Sequence, residues 1–178
     1  MIDLNAAVGR WPFAAGWGES VEALSAALVE AGLGDLLRQL GEAVTGRKGI
    51  PVALMVEGDC AIPDDVHVAL YRIAQEALNN VVKHANASQV AVSLRCIPSA
   101  SRDRAAGAVE LCISDDGRGF DPDGIPPDRL GLGIIRERAQ AIGATLKIDS
   151  QSGYGTQVKV RWEEDGGRRT KGEGDVGL

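Results

Sequence analysis

Between residues 66 and 84 the chain reads VHVALYRIAQEALNNVVKH, and its apolar positions recur at the interval of an α-helix. At about 100° per residue, Val66, Leu70, Ile73, Ala74, Ala77, Leu78 and Val81 fall in one arc, while Arg72, Glu76, Asn79, Asn80 and Lys83 gather opposite. The pattern predicts an amphipathic helix, introduced by a turn at Gly58-Asp59 and started at Pro63-Asp64-Asp65. Elsewhere the period drops to two. Residues 50–57 alternate into a first strand, residues 88–96 put Val90, Val92, Leu94 and Cys96 on one face, and Val109, Leu111 and Ile113 repeat the pattern on a paired strand. A further helix over residues 132–142, closed by Gly143, leads to a strand at 145–150, a turn at Gly153-Tyr154-Gly155 and a last strand at 156–162. Upstream, Val21, Leu24 and Leu28 suggest a helix that stops near Gly32. Another over residues 34–44 turns Leu36, Leu37, Leu40 and Val44 inward.

These elements predict an α/β two-layer sandwich, helices on one face of a mixed sheet. Residues 1–46 form a segment with short helices ahead of a domain over 47–163, and the Gly-rich, charged residues 164–178 read as a disordered tail. Residues 1–18 hold two Trp, one Phe and one Pro with no clean period, and residues 98–107, PSASRDRAAG, read as a surface hairpin loop.

Length and charge narrow the function. At 178 residues and 44% hydrophobic content the chain can bury one sizeable core. A net charge of -6 with no basic stripe argues against nucleic acid as a partner. Cys60, Cys96 and Cys112 have no Cys-x-x-Cys spacing and read as small buried thiols in a reducing compartment. No apolar run nears the roughly 18 residues of a membrane span, and MIDLNAAVGRW lacks the basic start of a signal peptide. The expectation is a cytoplasmic chain without direct membrane contact.

Two stretches carry chemistry. The polar arc of the central helix stacks a carboxylate, two carboxamides and an ammonium at spacings of three and four. Asn costs a few tenths of a kcal/mol or more relative to Ala inside a helix, so two in succession suggest a role beyond helix stability. A solvated face would look similar. Next, SDDGRGF at residues 114–120 follows directly on an apolar strand, where Asp115 is either an ordinary strand-end Asp before a turn or a placed hydrogen-bond acceptor.

A strand ending in Asp-x-Gly-x-Gly, behind a helix with Glu-x-x-x-Asn and ahead of Gly131-Leu132-Gly133, resembles the Bergerat-type ATP-binding fold of gyrase, the ninety-kilodalton heat-shock chaperone, histidine kinases and mismatch-repair ATPases. Within that superfamily, YRIAQEALNNVVKHANAS, DDGRGFD and RERAQAIGA are similar to the catalytic domain of sensor histidine kinases related to the nitrate and desaturase sensors, over roughly residues 33–162. The resemblance implies ATP and Mg2+ as ligands. Asp115 would accept from the adenine amino group, with Gly117 and Gly119 letting the backbone approach the base. Asn80 would offer its carbonyl oxygen to the magnesium, and Glu76 would orient or activate a nucleophile. Lys83 would meet phosphate oxygens, and His84 would be a packed or phosphate-adjacent residue. Gly131 and Gly133 would open a helix whose free amides suit phosphates, under a lid formed by residues 120–129. Thr156 would support Asp115 and a bound water, and Asn79 would be exposed and incidental.

Ile134 departs from the family, where a small residue is usual, which puts the lid and nucleotide affinity in question. Neither His67 nor His84 has the setting of the family's phosphoacceptor, since His67 is followed by Val rather than an acidic residue. The implied partners are therefore a dimerisation domain bearing the acceptor histidine and a response regulator. An anti-sigma-type serine kinase or an ATP hydrolase on the same fold, or a nucleotide-binding module without catalysis, are the rival readings.

Overall fold

The computed structural model describes residues 32–58, 62–98, 107–121 and 131–164. The expectations for residues 1–31, the hairpin loop at 99–106, the lid at 122–130 and the tail at 165–178 lie outside these. Along the chain run α1 (Leu33–Lys48), β1 (Val52–Glu57), α2 (Asp64–Asn80), a π-helical turn (Val81–Ala85), β2 (Val90–Ile97), β3 (Ala108–Asp115), α3 (Leu132–Ala141), β4 (Thr145–Gln151) and β5 (Gly155–Glu163). The strands form one sheet in the order β1-β2-β3-β5-β4, with β1 parallel to β2 and the other neighbours antiparallel. This is the mixed sheet of the expected α/β sandwich.

Period-two alternation decides which face is covered. Val92, Ile113, Val158 and Ile148 stand in one cross-strand row, and Leu94, Leu111, Val160 and Leu146 in another, all facing the helices. The next row toward the strand ends is Val90, Asp115, Thr156 and Ser150. Three polar side chains thus close an apolar surface, and this is where the sheet can meet a ligand.

α2 lies in the middle of the helix layer, packed on the sheet with α1 on one side and α3 on the other. Enclosure exceeds one amphipathic arc: from Val66 to Val82 no residue is exposed. Of the polar arc, Glu76 lies against Gly131 at the start of α3, whereas Lys83 is exposed. Asn79, expected to be exposed, is buried because the sheet, α1 and α3 together enclose α2.

The helix starts at Pro63, whose missing N–H costs nothing there, with Asp64 and Asp65 set against the positive end of the dipole. It does not continue as one α-helix to His84. The last turn widens into a π-helical segment that ends at Asn86, whose φ of 50° is left-handed, a conformation Asn tolerates better than most residues.

α1 places Leu36, Leu37, Leu40 and Val44 in the same core as α2 and the sheet, so the helix placed ahead of residue 47 shares the domain's core. The inward positions match the sequence pattern. The cysteines differ from expectation: Cys96 is disulfide-bonded, whereas Cys112 is a free thiol, pushed up in pKa by burial.

Candidate functional site, a pocket at the end of the sheet

The pocket is built from the polar row at the ends of β3 and β5, the π-helical turn, and the loop that leaves β3. In that loop the two adjacent aspartates take opposite sides. Asp116 turns away from the pocket. Its Oδ1 accepts from the backbone N–H groups of Ser88 and Gln89 at 2.8 and 3.0 Å, and its Oδ2 accepts from the Ser88 hydroxyl. These bonds hold its carboxyl below the usual range, the Ser88 hydroxyl contributing most. The Arg118 amide donates to the Ala85 carbonyl at 2.7 Å, so the loop is fastened both to the end of the π-helical turn and to the connection that follows it.

Asp115 points the other way, buried at the base of the pocket. Loss of water raises its carboxyl above the usual range, against the pull of hydrogen bonds from the Gly117 and Thr156 backbone. The Gly117 N–H bond to Oδ1 is 2.9 Å long. Gly117 is required where it stands because a Cβ would press on both the Ala85 carbonyl and the Asp115 carboxylate. Gly119 has φ +56° and lies against the Gln151 carbonyl, so a side chain there would be blocked by backbone as well as strained.

Behind Asp115, Ser150 links three segments: its Oγ accepts from the Phe120 N–H at 2.9 Å, donates to the Gly155 carbonyl at 3.1 Å, and shares a 2.9 Å hydrogen bond with the Thr156 hydroxyl.

The cavity measures about 210 Å³ and is lined by Asn80, Val81, His84, Ala85, Asp115, Arg118, Gly119, Phe120, Leu132, Thr156 and Val158. That is below the roughly 300–1,000 Å³ of sites enclosing a whole drug-sized ligand, so it suits one part of a nucleotide. Apolar walls with a few polar groups at one end suit a flat heterocycle. The π-helical turn helps create this wall. Asn80 and His84, and likewise Val81 and Ala85, are four residues apart and lie on the same side of it. On an ideal α-helix His84 would sit at the edge of the apolar arc.

Asn80, His84, Asp115, Gly119 and Thr156 are thus brought together as the sequence suggested. Glu76, Lys83, Gly117, Gly131 and Gly133 are not among the lining residues. Gly117 serves behind Asp115 through its amide. Lys83 is exposed on the outer side of the π-helical turn. Gly131, at φ +66°, packs against the Glu76 carboxylate, where a Cβ would collide with Oε1. It precedes α3, whose first residue Leu132 forms the cavity wall.

Ile134 is 44% exposed and outside the cavity, so its bulk does not narrow the space for a ligand. Sequence reading missed Val81, Ala85, Arg118, Leu132, Val158 and Ser150. Arg118 lies inside the DGRGF motif and was open to notice, but Ser150 has no motif and acts only through the strand pairing that sets it beside Thr156. Among the described residues there is no cluster of three His, Cys, Asp or Glu able to hold a metal ion by itself, and no helix long and apolar enough to cross a membrane.

Residues 65–166, more than half of the chain, match the family model described as histidine kinase-, DNA gyrase B-, and HSP90-like ATPase. The chain is 39% identical over 103 residues to the sensor histidine kinase LiaS of Bacillus subtilis, covering 58% of this chain and 26% of that protein. It is 32% identical over 149 residues to the nitrate/nitrite sensor protein NarQ of Escherichia coli, covering 81% of this chain and 24% of that protein. It therefore spans about a quarter of the length of each. Among solved structures, the ATP binding domain of PrrB from Mycobacterium tuberculosis superposes with a TM-score of 0.56 at 24% identity, covering 74% of this chain and 93% of that one, which is a likeness of fold.

Proposed function

The chain belongs to the histidine kinase-, DNA gyrase B-, and HSP90-like ATPase family, with sensor histidine kinases among its relatives, and on that premise we propose that its cavity takes the adenine of ATP. The chain is then the catalytic part of a sensor histidine kinase, passing the γ-phosphoryl group to a histidine on another segment or chain, for relay to a response regulator. The observation that carries this is the Asp115 carboxylate, buried at the base of an apolar cavity and held in place by the Gly117 amide. A carboxylate accepts from the amino group of adenine and finds no donor at the matching carbonyl of guanine.

With adenine at Asp115, the phosphates lead past Asn80 toward Glu76 and the start of α3. The donor set at Asn80 fits magnesium: one carbonyl oxygen without a protein cage suits a hard cation that takes its other ligands from phosphates and water. When bound, the ion would neutralise phosphate charge. Lys83, exposed near this end of the helix, is a candidate for outer phosphate contact. His67 is no acceptor within the chain, because it is buried in the first turn of α2 with its Nε2 lacking a partner. In the transfer, an imidazole nitrogen of the external histidine bonds to the γ-phosphorus as the bond to the β,γ-bridging oxygen breaks, leaving ADP.

The decisive experiment is titration of the chain with ATP and GTP, with and without Mg2+, followed by addition of a dimerisation domain bearing the histidine. ATP-selective, magnesium-strengthened binding and acid-labile label on the added domain are expected. Fast hydrolysis by the chain alone, abolished by Glu76→Ala, would instead establish the hydrolase reading.

A further inference from the structure

Arg72 stands one turn before Glu76 on the same side of α2, and α3 brings Arg138 near it. The helix packing sets this up. Gly131, which caps the start of α3, lies against Glu76, and the helix buries Ile135 and Ala139, so running forward along α3 leads back along α2 toward Arg72. The Nη1 of half-buried Arg72 donates to Oε1 of Gln75 at 2.9 Å, and its Cζ lies 5.9 Å from the Tyr71 ring centre. Those contacts hold the guanidinium without neutralising it.

The salt bridges found among the described residues all join other side chains. In a chain of net charge -6, two arginines on packed neighbouring helices thus stand within electrostatic reach of each other, and among the described residues no carboxylate pairs with either. Half-buried charges of like sign repel in a medium less polar than water, and a carboxylate placed between them would reverse the sign of that interaction.

Position indicates which anion. α2 rises about 1.5 Å per residue, so Arg72 lies about 12 Å along the axis from Asn80. Adenine at Asp115 directs the phosphates toward Glu76, and the arginines lie beyond it. The Glu76 carboxylate stands between them and the cavity, which disfavours a phosphate reaching further. A segment bringing a nucleophile to the γ-phosphorus has to approach from this side. One turn before Arg138 on α3 stands Ile134, 44% exposed, which adds an apolar contact beside the basic pair.

Resting on the kinase reading above, we propose that Arg72 and Arg138 dock a carboxylate carried by the helix that presents the acceptor histidine, with Ile134 packing against an apolar side chain one turn along that helix. The two arginines are positioning residues: they touch neither nucleotide nor histidine, and set where the acceptor helix lands. Arginine suits the task because its planar fork can hold a carboxylate through two hydrogen bonds.

The test uses the full chain with the histidine-bearing dimerisation region of the Bacillus subtilis sensor kinase LiaS added in trans. Arg138→Gln is expected to raise KM for that acceptor about tenfold, with Kd for Mg-ATP changed by less than about twofold and the melting temperature unchanged. Added salt should raise KM for the unaltered chain more steeply than for the variant. Arg138→Glu should lose transfer, and changing one acidic residue of the acceptor helix to Lys should restore it. Ile134→Ala should raise KM by about threefold without altering the salt dependence.

Unchanged KM in both Arg138 variants would overturn the docking role. Loss of ATP affinity in Arg138→Gln would move the arginines to the nucleotide and also overturn it. If the unaltered chain binds ATP but transfers nothing to the acceptor, the kinase reading falls and this inference falls with it.

Discussion

Asp115 and Asp116 are neighbours in sequence, yet they belong to regions of opposite character. One faces the cavity, where burial raises its carboxyl, and the other is exposed beside the connection from α2 to β2, where Ser88 and Gln89 lower its carboxyl. The backbone alternation at the end of β3 sends the two side chains to opposite sides. A strand end can thus supply a binding group and the fastening that holds it. The binding group sits in an environment that disfavours its own charge until a ligand supplies a donor, and the fastening is satisfied from the start.

The largest expected effect separates them by ligand. Asp115→Asn keeps the oxygen that accepts from Gly117 but turns a donor toward the adenine amino group, so ATP affinity should fall about a hundredfold. Calorimetric titration measures this, with circular dichroism confirming that the fold persists. Asp116→Asn should change ATP affinity by less than about threefold while lowering the melting temperature, because it weakens the clamp on residues 88 and 89. Comparable loss of affinity in both variants would dissolve the distinction.

The pH dependence should oppose them as well. For Asp115, a folded-state pKa above the ordinary 3.8 means its favourable contribution is complete below that value and is lost as pH rises through the raised one. At neutral pH, without nucleotide, Asp115→Asn should therefore melt higher than the unaltered chain, with the gap closing toward acid. For Asp116 the sign reverses: its contribution is present above 3.8 and is lost as pH falls through the lowered value. The Asp116→Asn deficit should be visible at neutral pH and vanish in acid. Melting curves across the acid range read both, and parallel profiles would contradict the assignment.

A smaller effect is expected at Ser150. Replacing it with Ala removes the acceptor for the Phe120 amide, and urea unfolding should report a loss of about 1 kcal/mol. ATP affinity should weaken by about threefold, since Thr156 loses its partner but Asp115 stays in place. A loss as large as that of Asp115→Asn would mean that Ser150 itself meets the ligand.

The hydrophobic pattern was enough to determine the helix beginning at residue 64, the inward leucines of α1, and the strands, because side-chain burial follows the backbone periods of 3.6 and 2. The motif around residues 114–120 was likewise legible, since a strand end followed by alternating glycines has few other uses. Tertiary structure alone decided the burial of Asn79, because the sheet and two helices enclose α2 on more sides than its apolar arc. It decided that His84 lines the pocket beside Asn80, and that the helix widens there into a π turn that no residue type announces. Ser150 lies far from residue 115 in sequence, and only the pairing of β4 with β5 and β5 with β3 carries it to the pocket. Local periodicity encodes which side of an element is apolar, whereas the neighbour that covers a polar side depends on contacts between distant segments, and those exist only once the chain has packed.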